Sequence, residues 1–191
     1  MTKIEILVEG YAKKIENGWN ASSNVTLVTS NSKNIIVDPG CNRKLLLDAL
    51  EKHKLKTGDI DFVLNTHNHT DHTLLTSIFE NAKVITTDEI YTGDHQVEHG
   101  NRIPETDLEI IQVPGHTPEH CALVVKTDEG IYVIAGDVFW WVDDEEQVID
   151  INKEDPAHSG DMNQLIESRK KILNIADWVI PGHGKMFKVE K

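Results

Sequence analysis

Apolar residues fall in short blocks separated by Gly, Pro, Asn and Asp. Ile4–Val8, Val25–Thr29 and Ile35–Val37 each read as a strand, because short Val- and Ile-rich blocks bounded by turn residues fit buried β structure. Asp38-Pro39-Gly40 closes the third in a turn. From Asn42 to His53 the period changes. Leu45, Leu46, Ala49 and Leu50 share one helical face, and Asn42 is placed to cap the helix. Asp61–Leu64 and Lys83–Thr86 return to strand. Tyr91–Asp107 is polar, broken by Gly93 and Gly100, and is expected to be irregular. Strands resume at Leu108–Val113, Ala122–Lys126 and Ile131–Ile134. The acidic stretch Glu145–Asp155 ends at Pro156. A second helix is expected from about Asp161 to Ile175, with Met162, Leu165, Ile166, Ile172 and Leu173 inward. Trp178–Ile180 reads as a last buried strand before Pro181-Gly182-His183-Gly184. Many strands with interspersed helices predict an α/β fold. With no internal repeat and no Ser/Gly linker, one domain over residues 1–191 is expected.

The chain has 191 residues and a formal net charge of −13. That charge disfavours broad, non-specific nucleic-acid binding. It does not exclude nucleic acid as a substrate, since bound metals reverse the local charge. There is no apolar run of about 18 residues, so no membrane span is expected. The segment Met1–Ile6 turns acidic at once and has no signal-peptide core, which predicts a cytoplasmic protein. The run Asp143-Asp144-Glu145-Glu146 reads as a solvated face. The two cysteines, Cys41 and Cys121, have no CxxC spacing and no disulfide is expected. Cys121 opens the apolar run to Val125 and reads as a small buried hydrophobe; Cys41 follows a Pro-Gly turn and reads as structural.

The chemistry concentrates in Thr66-His67-Asn68-His69-Thr70-Asp71-His72. Histidine is the commonest metal ligand, and a neighbouring carboxylate adds the charge that holds a divalent ion. The run follows the apolar stretch Asp61–Leu64, which sets it at a strand's C-terminal end, where α/β folds place their sites. Three other places repeat the pattern of an apolar run ending in Gly, His or Asp. They are Asp38-Pro39-Gly40, then Pro114-Gly115-His116 with Ala135-Gly136-Asp137, and Pro181-Gly182-His183. Together they predict a metal site built by several strands.

His67-Asn-His69-Thr-Asp71-His72 resembles the HxHxDH motif of the metallo-β-lactamase superfamily, and His116, Asp137 and His183 match its later ligand positions in order. The resemblance implies an αββα sandwich holding two metal ions. His67, His69 and His116 would bind the first, Asp71, His72 and His183 the second, and Asp137 would bridge them. It implies a hydrolase whose nucleophile is a hydroxide shared by the metals, with Asp71 and Asp137 as catalytic carboxylates. Asp38, Thr66 and His120 are expected to support the ligands from behind. The all-nitrogen-and-oxygen ligand set suits zinc, and also iron or manganese.

The later segments resemble a small single-domain branch of that superfamily. Its members are described as endoribonucleases and as dimers, which implies an RNA phosphodiesterase and a possible homodimer. The alternative is a hydrolase of small esters, thioesters or lactams, and a less favoured one is a diiron redox protein. Two departures bear on substrate. Thr73-Leu74-Leu75 follows His72 where many relatives have glycine, and Trp140-Trp141 follows Phe139. Adjacent strand residues face opposite ways, so one tryptophan is expected in the core or an interface and only the other could stack on a base. His95, His99 and His158 are candidate rim residues; His53 is expected to lie at an exposed helix end.

Overall fold

The computed structural model describes residues 2–155 and 160–190. The chain runs through β1 (Lys3–Val8), β2 (Tyr11–Ile15), β3 (Gly18–Ser22), β4 (Val25–Ser30) and β5 (Lys33–Val37) before helix α1 (Arg43–Lys52). Next come β6 (Phe62–Leu64), the one-turn helix α2 (Thr70–Thr73), β7 (Lys83–Ile85), β8 (Glu89–Thr92) and β9 (His95–Glu98). The second half supplies β10 (Glu109–Gln112), β11 (Cys121–Thr127), β12 (Gly130–Trp140), helix α3 (Met162–Ile175), β13 (Trp178–His183) and β14 (Phe187–Lys188).

Seven strands form one sheet in the order β1-β4-β5-β6-β7-β8-β9, and five form another in the order β10-β11-β12-β13-β14. Pairing is parallel from β5 through β7 and between β12 and β13, and antiparallel elsewhere. Three apolar clusters define the layers. Val28, Ile35, Val37, Phe62, Leu64, Leu123, Val125 and Ile180 pack the two sheets face to face. Leu27, Ile36 and Val63, on the opposite pleat, meet Leu46, Ala49 and Leu50 of α1. Ala122, Val124, Val133 and Val179 meet Leu165 and Ile172 of α3. The central strands are therefore apolar on both faces, which is why they read as unbroken blocks. The result is the expected αββα sandwich.

Helix α1 begins as predicted, with the Asn42 carboxamide accepting the Leu45 N–H at 3.2 Å. Helix α3 buries Leu165 and Ile172, with Met162 and Leu173 half-buried; Ile166 stays half-buried, and Arg169 takes a buried position instead. Two hairpins depart from expectation. Within the stretch expected to be irregular, β8 and β9 pair across Gly93, whose φ of 63° suits the turn. Ile90 is the one residue of this pair buried in the core, so the apolar signal is a single position. The β2–β3 hairpin was silent for the same reason, since Ala12 and Ser22 are its only buried residues. Strand β12 runs on through Asp137 to Trp140, and β13 runs on to His183.

Candidate metal centre

The strand ends deliver every side chain of the centre. Asp38 follows β5, the His67–His72 run follows β6, His116 lies on the β10–β11 connection, and Asp137 and His183 sit late in β12 and β13. One ligating atom from each of His67, His69, His116 and Asp137 falls within 4.8 Å of the others, and the same holds for Asp71, His72 and His183. Asp137 joins the two groups. Its Oδ2 lies 3.3 Å from His116 Nε2 and 3.8 Å from His67 Nε2. Its Oδ1 lies 3.2 Å from His72 Nε2 and 3.6 Å from His183 Nε2. Asp71 Oδ2 approaches His183 Nε2 at 3.2 Å.

The other nitrogen of His67, His72, His116 and His183 is committed to the protein, which fixes the atom that faces the centre. His72 Nδ1 meets Asp38 Oδ2 at 2.8 Å. The Thr66 hydroxyl donates to Asp38 Oδ2 at 2.7 Å and so receives the His67 Nδ1 proton at 3.0 Å. The Thr66 N–H donates to Asp38 Oδ1 at 2.8 Å. His183 Nδ1 faces the Tyr11 and Ser22 carbonyls at 3.0 and 3.1 Å, so the β2–β3 hairpin orients this ligand. His116 Nδ1 pairs with Asp155 Oδ2 at 2.5 Å, leaving Nε2 3.0 Å from His69 Nδ1. Asp155 is the contributor that sequence reasoning missed. Its signal was present in the Glu154-Asp155-Pro156 segment, but nothing local in an acidic stretch ties it to a histidine 39 positions earlier.

Among the described residues, His67 Nε2, His72 Nε2 and Asp137 Oδ1 are buried without a hydrogen bond of good geometry, the last two facing each other only as an ion pair at 3.2 Å. Buried polar atoms are almost always satisfied, and three orphans converging on one point have the chemistry of a metal site. The electrostatics agree. Burial pushes His67 well below the usual imidazole range, so it is neutral and able to ligate. Burial pushes His72 the same way, but the Asp137 and Asp38 carboxylates overcome it and hold it well above that range. Burial pushes Asp137 up, and the surrounding His72 and His183 more than reverse that, so it stays ionised. The cluster fits a dinuclear metal site, with Asp137 lying between its two groups of ligand atoms.

Close packing makes two glycines necessary. A Cβ at Gly182 would lie 1.7 Å from Asp137 Oδ1. Gly136 has φ of 51°, and its Cβ would meet Thr66 Oγ1 at 2.5 Å and the His120 ring at 2.7 Å. His120 stacks on His67 with ring centroids 4.6 Å apart, and its Nε2 accepts the Asp137 N–H at 3.2 Å. Burial holds its pKa at about 3, so it stays neutral.

A cleft of about 390 Å³ opens on the centre. Its far wall is Ala12, Trp19, Ala21, Cys41, Leu74 and Trp140. Trp19 and Leu74 remain 43% and 57% exposed. Trp140 stands edge-on to Trp19, with centroids 6.1 Å apart, while Trp141 turns the other way onto Phe139 and Phe187. Adjacent tryptophans thus divide between cleft and core, as the strand pleat requires.

Other candidates fall elsewhere. His53 pairs with Glu5 at 2.9 Å. His95 is exposed on β9, and His99 Nε2 meets the Thr86 carbonyl at 2.9 Å; neither lines the cleft. His158 lies outside the described residues. Cys121 is buried, its thiol pushed up to about 12, while half-buried Cys41 donates its S–H to the Ala21 carbonyl at 3.0 Å. The Asp143–Glu146 run is exposed, though Asp143 also accepts the Ala12 N–H at 3.1 Å.

Residues 18–90 match the family model described as Metallo-beta-lactamase superfamily. The Xenopus laevis protein named "Metallo-beta-lactamase domain-containing protein 1" is 31% identical, over 98% of this chain and 82% of that one. The chain belongs to the metallo-β-lactamase superfamily. The mammalian proteins of the same name are matched over only 59–63% of their own length. Among solved structures, a Thermotoga maritima protein assigned to the metallo-β-lactamases aligns with TM-score 0.71 at 20% identity, over 98% of this chain and 99% of that one. AidC, a dizinc quorum-quenching lactonase bound to its N-acyl homoserine product, aligns with TM-score 0.64 at 17% identity, over 87% of this chain and 74% of that one. These structures share the superfamily fold. No helix among the described residues is long and apolar enough to cross a membrane.

Proposed function

We propose that this member of the superfamily is a dinuclear, zinc-dependent hydrolase of small, uncharged acyl compounds: esters, thioesters, lactones or lactams. The convergence of the orphaned His67, His72 and Asp137 atoms carries the metal part of the reading. Two zinc ions there would supply an activated water at neutral pH and polarise the scissile group. Asp38, Thr66, Asp155 and the hairpin carbonyls hold the imidazoles in the ligating tautomer. Asp71, at the cleft edge beside His183, is placed to hold or accept the proton of the attacking water.

The cleft wall carries the substrate part. Among the described residues it is lined by apolar groups, by Cys41 and Thr70 and by the ligands themselves, with no Lys or Arg. A phosphodiester backbone draws most of its affinity from such cations, and the chain's net charge is −13. An uncharged acyl group needs only the apolar wall. The second reading, an endoribonuclease, is favoured by the resemblance and by the exposed Trp19 on the cleft wall, whose face suits base stacking. The homodimer implied by the resemblance goes with that reading.

The zinc-loaded protein and Asp137→Asn, purified identically, would be assayed on a thioester, an N-acyl homoserine lactone, a chromogenic lactam and labelled single-stranded RNA. Acyl hydrolysis by the parent alone is the expected result. RNA cleavage by the parent alone would transfer the reading to the nuclease. Equal turnover by both proteins would exclude activity at this centre.

A further inference from the structure

Asp155 is a buried carboxylate, its side chain 3% exposed, with both oxygens engaged. Oδ2 meets His116 Nδ1, and Oδ1 accepts the Trp140 Nε1–H at 3.1 Å. The first partner belongs to the metal centre and the second is the wall of the cleft. The segment carrying Asp155 is itself pinned. Arg169, only 2% exposed, donates to the carbonyls of Val138, Ile151 and Lys153 at 2.9, 3.0 and 2.6 Å. Lys153 then donates to the Trp140 carbonyl at 3.1 Å and lies over the Trp140 ring. A buried arginine that satisfies two carbonyls of that segment and one of β12 fixes the segment against β12 and α3.

We propose that Asp155 is a shared positioning residue that couples the first metal position to the cleft wall. The inference rests on the dinuclear reading above. Its physical basis is acceptor arithmetic. His116 Nδ1–H and Trp140 Nε1–H are both donors, the first because Nε2 must keep a lone pair toward the centre. A carboxylate offers an oxygen to each; a carboxamide has one oxygen and one NH2 and satisfies only one of them. Asp155→Asn therefore sets the two partners in competition. If the oxygen serves Trp140, the NH2 faces His116 Nδ1, which must then accept, and its proton moves to Nε2, where it blocks ligation. If the oxygen serves His116, the Trp140 indole loses its acceptor and meets a second donor.

The test is a zinc titration of the metal-free full chain against a chromophoric chelator, for the parent, Asp155→Asn, Trp140→Phe and the double variant. One of the two binding steps is expected to weaken about 10- to 100-fold in Asp155→Asn. Removing the indole donor lets the asparagine oxygen turn to His116, so the double variant should recover to within about threefold of Trp140→Phe alone, the additivity failure expected of coupled neighbours. In zinc-loaded Asp155→Asn, the Trp140 indole N–H resonance should also move toward its unbonded position. A double variant as weak as Asp155→Asn overturns the coupling. So does an Asp155→Asn that holds both ions with the parent's affinity. Should Asp155→Asn fail to fold, the double variant against Trp140→Phe decides alone. A parent that binds fewer than two ions would instead defeat the dinuclear reading, a separate outcome.

Discussion

Asp38 Oδ2 lies 2.8 Å from His72 Nδ1 and 2.7 Å from the Thr66 hydroxyl, so one buried carboxylate orients two of the histidines, one directly and one through a hydroxyl. Asp38 holds a left-handed backbone conformation, φ 50°, at the end of β5 to make that reach. Its loss should therefore be felt at both metal positions. Asp38→Ala is expected to weaken zinc binding by about 10- to 100-fold, read by chelator competition. An unchanged affinity would show that the ligands hold their orientation unaided.

Gly182 has no room for a side chain, since a Cβ there would fall 1.7 Å from Asp137 Oδ1. Gly182→Ala should push Asp137 aside, lowering the zinc stoichiometry below two and costing about 1–3 kcal/mol of stability, as overpacking does. Metal analysis and denaturant unfolding would measure both. Wild-type values in both would mean that β13 shifts to accept the methyl.

Metal binding should release protons near neutrality. In the metal-free protein His72 titrates well above the usual imidazole range, so at pH 7 its proton must leave before Nε2 can ligate. The sign follows: apparent zinc affinity rises with pH until His72 is deprotonated, and falls toward acid. The ion pair's contribution to the metal-free fold runs the opposite way. His72 adds stability below its unfolded pKa of about 6.5 and loses it as pH rises through its raised folded value. Calorimetric titrations in buffers of different ionisation enthalpy would count the protons. Zero release at pH 7 would contradict the assignment.

The two thiols should separate cleanly. Cys121 is fully buried and its thiol is pushed up to about 12, whereas Cys41 sits half-buried in the cleft wall with a thiol raised mainly by burial. At pH 8, iodoacetamide is expected to label Cys41 slowly and Cys121 only after unfolding, since thiolate is the reactive form. Peptide mass spectrometry gives the answer, and rapid native labelling of Cys121 would refute the packing.

Trp19 stands 43% exposed on β3 over the cleft. Trp19→Ala should leave stability within about 0.5 kcal/mol, as for most surface changes. It should raise KM for long-chain acyl substrates more than for acetyl ones, with kcat little altered, because the wall binds ground and transition states alike. An equal effect on both chain lengths would remove Trp19 from substrate binding.

The sandwich was legible because its central strands bury both faces and so appear as unbroken apolar blocks, such as Ile35–Val37 and Phe62–Leu64. The helices were legible from their period, although Leu45 of the expected inward face of α1 is 41% exposed, and the metal centre because three of its five histidines crowd into one short run. What stayed hidden has a common cause. The β2–β3 hairpin buries almost nothing, yet its Tyr11 and Ser22 carbonyls orient His183 and its Trp19 walls the cleft. Backbone carbonyls carry no residue signature, and an exposed tryptophan has no periodic partner. Asp155 was hidden among acids, since its role depends on a contact across 39 positions. Arg169 occupied an inward helical position where apolar residues were expected, because its partners are carbonyls of a distant loop.

The proposed bridging role of Asp137 puts one metal ion against each of its carboxylate oxygens. Its most direct test is a crystal structure of the zinc-soaked protein with anomalous data at the zinc edge. Two peaks about 3.5–4 Å apart, one on each side of Asp137, with His67, His69 and His116 around the first and Asp71, His72 and His183 around the second, are the predicted result. A single peak, or two peaks that leave Asp137 unligated, would contradict it.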